Sequence, residues 1–121
     1  DDPRLVERVA AERIPLDVCP NSNVLIANRY ASLDQHPFRR MRQAGLLVTL
    51  NTDDPAMTDL DLGKEYRSVA GALGMPWEEM CAVALDGVEA SWLDEGEKRR
   101  MHGEFEAVIA GIEPPETVAS V

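Results

Sequence analysis

An α/β fold with parallel strands is what the sequence predicts, and three observations lead there. Two short apolar runs, Leu16-Asp17-Val18-Cys19 and Leu46-Leu47-Val48-Thr49-Leu50, have the length and composition of buried strands. Each run follows a stretch whose apolar residues recur at helical spacing, and strands joined through helices fit parallel pairing with crossovers. Two parallel strands alone leave edges unpaired and faces uncovered, so the chain is expected to be one piece of a larger sheet.

Taken in order, Pro3 followed by Leu5, Val6, Val9 and Ala10 predicts an opening helix. Asp1 or Asp2 is its cap, and proline sits at the first helical position, where a missing N–H does no harm. The first strand stops at Pro20, and Asn21, Ser22 and Asn23 are turn formers whose side chains bond nearby backbone. A loop is expected from Asn21 to about Gln35. It carries Val24, Leu25, Ile26 and Tyr30, which is apolar enough to cover a pocket.

A helix is expected from Pro37 through Phe38, Met41 and Ala44, ending at Gly45, with Arg39, Arg40, Arg42 and Gln43 on its polar face. The second strand then feeds a loop from Asn51 to about Asp61. Three helices complete the chain: Leu62 to Leu73, closed by Gly74; Pro76 to about Trp92; and Asp94 to about Ile112, closed by Pro114-Pro115. Met80, Ala84, Val88 and Trp92 give the second of these one buried face, and Met101, Phe105, Val108, Ile109 and Ile112 give the third another. Residues 1–112 read as one portion of a domain and 113–121 as a flexible tail.

The 121 residues, 45% hydrophobic and 28% charged, suit a globular chain rather than a disordered one. A net charge of −10 makes nucleic acid and anionic membranes poor partners, because like charges repel. No apolar run could span a bilayer, and Asp1-Asp2-Pro3-Arg4 is unlike a secretory start, so the expected location is cytoplasmic. Cys19 and Cys81 lie inside apolar patterns and read as buried, reduced thiols.

The residues with most chemical promise are Asp53 and Asp54, adjacent acids at the end of the second strand, where parallel α/β folds place their functional groups. Side chains of neighbouring residues leave in different directions, so one acid could bind a metal while the other serves a proton or a substrate donor. The same Asp-Asp-Pro also reads as a turn with a helix cap. A metal needs several converging ligands, and Asp53 is the candidate this chain offers. His36 stands before Pro37 at a helix start, and His102 lies among Arg99, Arg100 and Glu104 on a late helix, where it reads as solvated. Ser22 has no nearby histidine or lysine in sequence to activate it, and reads as a turn or supporting residue. Gly63, Gly71 and Gly74 make no phosphate-binding pattern, and Glu78, Glu79, Glu95 and Glu97 are helix starts.

Leu16-Asp17-Val18-Cys19-Pro20-Asn21-Ser22-Asn23, then His36-Pro37, then Val48-Thr49-Leu50-Asn51-Thr52-Asp53-Asp54-Pro55, with Glu65-Tyr66 as a turn into the following helix, closely resembles the last part of the adenosine deaminase family. The resemblance covers about nine-tenths of the chain. It implies a TIM-type (β/α)8 barrel, incomplete here, with these two strands as the seventh and eighth. It further implies that Asp53 is a zinc ligand and that Asp54 hydrogen-bonds the purine ring and helps orient the attacking water. Ser22 would support the site from near Asp54. In that family zinc activates a water that adds to the carbon bearing the amino group, a glutamate shuttles protons and ammonia leaves.

The His-x-His pair of the first strand, the histidines of the fifth and sixth strands and the catalytic glutamate, all part of the family pattern, do not occur in this chain. The expected partner is therefore the remaining N-terminal part of the barrel, in the same or another chain, and the 121 residues alone are expected to be inactive. The reading is a zinc-dependent purine aminohydrolase acting on adenosine. The Asn21 loop departs from the pattern of nucleoside-specific members, which leaves adenine and 6-aminodeoxyfutalosine as alternative substrates. A non-catalytic fragment or binding module is the alternative of another class.

Overall fold

The computed structural model describes residues 2–114. Among these residues seven α-helices and two strands follow one another as α1 Pro3–Ala11, β1 Leu16–Val18, α2 Pro20–Leu25, a 3-10 turn Leu33–Gln35, α3 Phe38–Gln43, β2 Val48–Leu50, α4 Pro55–Thr58, α5 Leu62–Leu73, α6 Trp77–Ala90 and α7 Glu95–Ala110. The two strands pair in parallel, with Leu16 opposite Val48, Asp17 opposite Thr49 and Val18 opposite Leu50. They are the whole of the sheet among the described residues.

Alternation along the strands separates two faces. Val18, Val48 and Leu50 point into a core shared with Phe38, Val69, Met75, Met80 and Val83, and α6 supplies most of the cover over β2. Asp17 and Thr49 lie on the opposite face, where the Thr49 hydroxyl donates to Asp17 Oδ1 at 2.9 Å and Asn51 Nδ2 donates to Thr49 Oγ1 at 2.8 Å. That face is polar, with Asp17 exposed and Thr49 buried, although the β2 run reads as uniformly apolar but for one threonine.

Helix starts use two devices. Asp2, Asp54, Asp61 and Asp94 each accept backbone N–H groups of their own helix, and Pro3 and Pro55 fill first-turn positions. α2 has no such cap, since Cys19 makes no side-chain bond there. α3 is tied to α6 by Arg39 with Glu79, at 2.9 Å, and by Arg42 with Asp86. Arg39 also donates to the Leu73 carbonyl at the end of α5. Two of the three arginines read as a polar face, Arg39 and Arg42, are thus clamps between helices.

Several expectations change. The loop expected from Asn21 is irregular only over residues 26–32: Pro20 opens α2, whose cap comes from a distant residue that local sequence cannot show, and a 3-10 turn closes the stretch. The loop after β2 contains α4, started by the same Asp-Pro device that opens α1. Trp92 lies outside α6, which ends at Ala90, and is fully exposed. The apolar stripe of α7 is not buried either: no α7 residue is fully buried, and Val108 is 62% exposed. Cys19 and Cys81 are free thiols, half-buried rather than buried. Asp1 and residues 115–121, which carry one candidate cap and most of the expected tail, lie outside the described residues. No described helix is long and apolar enough to cross a membrane.

Candidate active site

Both strands end at the same edge, and the segments leaving them meet there. β1 runs through Cys19 into α2, placing Ser22 in its first turn, while β2 runs through Asn51 to Asp53 and Asp54. The Ser22 hydroxyl, buried, donates to Asp53 Oδ2 at 2.7 Å. Ser22 was expected near Asp54; the acid its hydroxyl bonds is the neighbouring Asp53. Asp53 has φ of +62°, a left-handed conformation that costs a non-glycine residue free energy and is found at sites where the surroundings impose it. This turn aims Asp53 back at α2 and releases Asp54 forward.

Asp54 Oδ1 accepts from the backbone N–H of Ala56 and of Met57, both at 3.1 Å, which is the capping role its sequence also suggested. Each acid therefore spends one oxygen on being held. Among the described residues no donor engages Asp53 Oδ1 or Asp54 Oδ2. Both acids are exposed, and a cavity of about 340 Å³ reaches Asp53 between Asp17, Cys19, Asn23, Tyr30 and His36.

His36 is one of the groups that walls this cavity, and it is 4% exposed. Its Nδ1 accepts from the Phe38 backbone N–H at 3.1 Å, so the ring proton sits on Nε2, which lies 3.0 Å from the Asn23 side-chain amide. The amide atom facing the ring is Nδ2, and an Nε2–H pairs with this amide only once it is turned to present Oδ1. Burial pushes the His36 pKa below the ordinary histidine value, favouring this neutral form. The Tyr30 ring meets His36 edge-on with centroids 4.8 Å apart. Burial, reinforced by the charges of Asp53, Glu65 and Asp17, pushes the Cys19 thiol up, so it stands beside the acids as a protonated, poorly nucleophilic group. His102 lies far along α7, half-exposed and 3.4 Å from Glu106.

Glu65, read in the sequence with Tyr66 as a turn into the following helix, lies inside α5 instead and supports the site, a role the sequence reading did not assign it. It is 0% exposed, and its carboxylate accepts from Asn21 N and Asn21 Nδ2 at 3.1 and 2.9 Å. The signal was available: Glu65 falls four residues before Val69, on the buried stripe of α5, where a charge demands a partner.

Among the described residues, no group of three or more histidine, cysteine, aspartate or glutamate side chains converges as a metal site. Asp53 nonetheless has the chemistry of one ligand, an oxygen donor whose second oxygen is fixed by a hydrogen bond.

Parallel strands joined through helices, and two held carboxylates where the strands end, define part of an α/β protein with a candidate site at the carboxyl edge of the sheet. The adenosine deaminase family model matches residues 1–108, and the chain belongs to that family. It is 41% identical over 109 residues to an aminodeoxyfutalosine deaminase of Streptomyces coelicolor, an alignment covering 90% of this chain and 28% of that protein. The fold superimposes with a TM-score of 0.84, at 28% identity, on the crystal structure of an adenine deaminase of Arthrobacter aurescens, covering 90% of this chain and 33% of that one. It also matches an amidohydrolase of Burkhoderia ambifaria with bound Zn, at a TM-score of 0.68 and 23% identity, over 93% of this chain and 33% of that one. The chain thus spans less than a third of the curated relative's length.

Proposed function

We propose that this chain forms the last two strands and closing helices of a TIM-type (β/α)8 barrel that hydrolytically deaminates adenosine or a related adenine-containing compound. The products are the inosine-type compound and ammonia. The observation that carries the reading is the Asp53 carboxylate at the carboxyl end of β2, turned by a left-handed residue onto the Ser22 hydroxyl. Family membership supports the reaction class. The outer edges of β1 and β2 have no strand neighbour among the described residues, and the N-terminal strands of the barrel are the partner that would pair with them.

Asp53 would hold the zinc as one of its ligands, with its Oδ2 kept in place by the Ser22 hydroxyl. The other ligands come from the N-terminal part of the barrel. Zinc, when bound, makes a water nucleophilic near neutral pH by lowering its pKa. Asp54, with Oδ1 fixed by the start of α4, presents Oδ2 to a donor on the purine ring and so sets the orientation of the substrate. The wall of Asn23, Tyr30 and His36 limits the water that reaches this edge.

In the complete protein that carries this chain, Asp53→Ala is expected to lose zinc by elemental analysis, and ammonia release with it. Asp54→Asn keeps an oxygen that caps α4, so it is expected to retain zinc and lower the rate. If Asp54→Asn lost the metal and Asp53→Ala kept it, the two roles would be reversed. The 41% identity to an aminodeoxyfutalosine deaminase favours that compound as a second substrate candidate. Initial rates on adenosine, adenine and aminodeoxyfutalosine at equal concentration decide between them.

A further inference from the structure

The Asp53 carboxylate is held by Ser22, and Ser22 stands in the first turn of a helix that has no cap of its own. What fixes that turn is a residue of another helix. Glu65 of α5, fully buried, takes the Asn21 backbone N–H on Oε1 at 3.1 Å and the Asn21 Nδ2 on Oε2 at 2.9 Å. Asn21 Nδ2 also donates to Ser68 Oγ at 2.8 Å, and Ser68 Oγ donates to the Glu65 carbonyl at 3.0 Å. No ion pair among the described residues includes Glu65, so both oxygens are committed to Asn21 as acceptors.

Four residues from three segments of the chain thus form one line: Glu65, Asn21, Ser22, Asp53. A carboxylate buried without a cation is costly unless donors are fixed around it, and here both are supplied by the residue immediately before Ser22. We infer that Glu65 is a positioning residue for the Asp53 carboxylate, acting through Asn21 and Ser22 to fix the start of α2. The inference rests on the reading of Asp53 as a metal ligand. Partners that hold a ligating carboxylate set metal affinity, so displacing Ser22 weakens the site without touching the ligand itself.

Donor and acceptor types give the test. Asn21 offers two donors and Glu65 two acceptors. Glu65→Gln sets an amide N–H against a donor, and Asn21→Asp sets one carboxylate against another. Asn21→Asp combined with Glu65→Gln exchanges the roles: the amide nitrogen introduced at position 65 donates to the carboxylate introduced at position 21, while the amide oxygen still accepts the backbone N–H.

In the complete protein, zinc dissociation constants from competition with a chromophoric chelator, well below the melting temperature, are expected to rise about tenfold or more in each single variant. They are expected to return to within about threefold of the parent in the exchanged pair. Turnover number should follow zinc affinity, with KM for the purine little changed. A merely structural Glu65 would lower the melting temperature and leave zinc affinity alone, and that result overturns the inference. The route is tested separately by Ser22→Ala, which should weaken zinc and absorb most of the further effect of Glu65→Gln. Full additivity of the two would mean that Glu65 acts by another path, and also overturns it. If the single variants at 21 and 65 do not fold, Glu65→Asp, which keeps both acceptor oxygens but draws them back from Asn21 by one methylene, must still weaken zinc measurably; an unchanged affinity counts against the proposal. Retention of zinc by Asp53→Ala refutes the ligand assignment itself. Loss of zinc by Asp53→Ala with no effect at Glu65 refutes this inference alone.

Discussion

Around Asp53 the side chains are held by hydrogen bonds to residues far away in sequence: Ser22 to Asp53 across 31 positions and Asn21 to Glu65 across 44. On the other flank a groove of about 790 Å³ runs between α5, α6 and α7, lined by Leu62, Tyr66, Ala84, Val88, Met101 and Phe105. Its polar fixing lies mainly on the strand side, where Asp17, Thr49 and Asn51 bond one another, and the helices contribute mostly apolar lining. α7 owes its start to its own capping box, in which Asp94 accepts from Glu97 N and Glu97 reaches back to Asp94 N. Hydrogen bonds have direction and set where a carboxylate points, whereas apolar area is nearly indifferent to geometry. The carboxyl edge is therefore specified within the chain, while the groove is contiguous apolar surface of the kind that marks a contact site. The barrel reading assigns that contact to the rest of the barrel.

The largest expected effect falls on a residue beneath both regions. Phe38 is fully buried among Val48, Val69 and Val83, and its backbone N–H is the donor that fixes the His36 tautomer. Phe38→Ala leaves a cavity in the core and is expected to cost about 3–5 kcal/mol. Urea unfolding followed by far-ultraviolet circular dichroism measures it. A loss below about 1 kcal/mol would mean that the core can close over the gap, and that the two flanks are joined more loosely than their shared residue implies.

A smaller effect is confined to the polar flank. The His36 pKa is lowered by burial, so the unfolded chain binds a proton there more readily than the folded one. Stability from this residue is present above about pH 6.5, the unfolded value, and falls as pH drops from there toward the lower folded value. Protonation also forces Nδ1 to give up the Phe38 N–H. An asparagine at this position can accept that N–H through Oδ1 without titrating. Melting temperatures of parent and His36→Asn between pH 7.5 and 5 should diverge, the parent losing more on acidification. Parallel curves would show that the carboxylates, not His36, carry the acid sensitivity.

The two flanks also differ in how far they could be read from sequence. Strand positions, the parallel order and most helix ends were legible because apolar spacing, Asp caps and Gly74 act locally. The pair Asp53-Asp54 stood out for the same reason, since the end of an apolar run is visible in one dimension. What could not be read was set by tertiary partners. α2 looked like a loop because its first-turn N–H is met by Glu65, 44 residues on. Ser22 could be placed at the site but not on the correct acid, because the left-handed turn at Asp53 shows in no pattern of residue types. Trp92 and the α7 stripe were expected to be buried, since periodicity reports which face is apolar but not whether anything covers it.

Trp92 gives the mildest test and the one that isolates the groove. Its side chain borders the groove yet is fully exposed, so Trp92→Ser removes few contacts within the chain. The urea midpoint of the described fold should stay where it is. Fluorescence of a dye that binds exposed apolar surface, measured on the same samples, should fall, because the groove loses its largest aromatic lining. Glu65→Gln supplies the contrast, since it disturbs the polar edge and leaves the groove lining untouched. A midpoint that shifts with Trp92 would mean that the indole is packed in solution, and that the groove is partly closed by the chain itself. An unchanged dye signal would place the apolar site elsewhere, with the exposed Val108 of α7 and Met57 of α4 as the next residues to change.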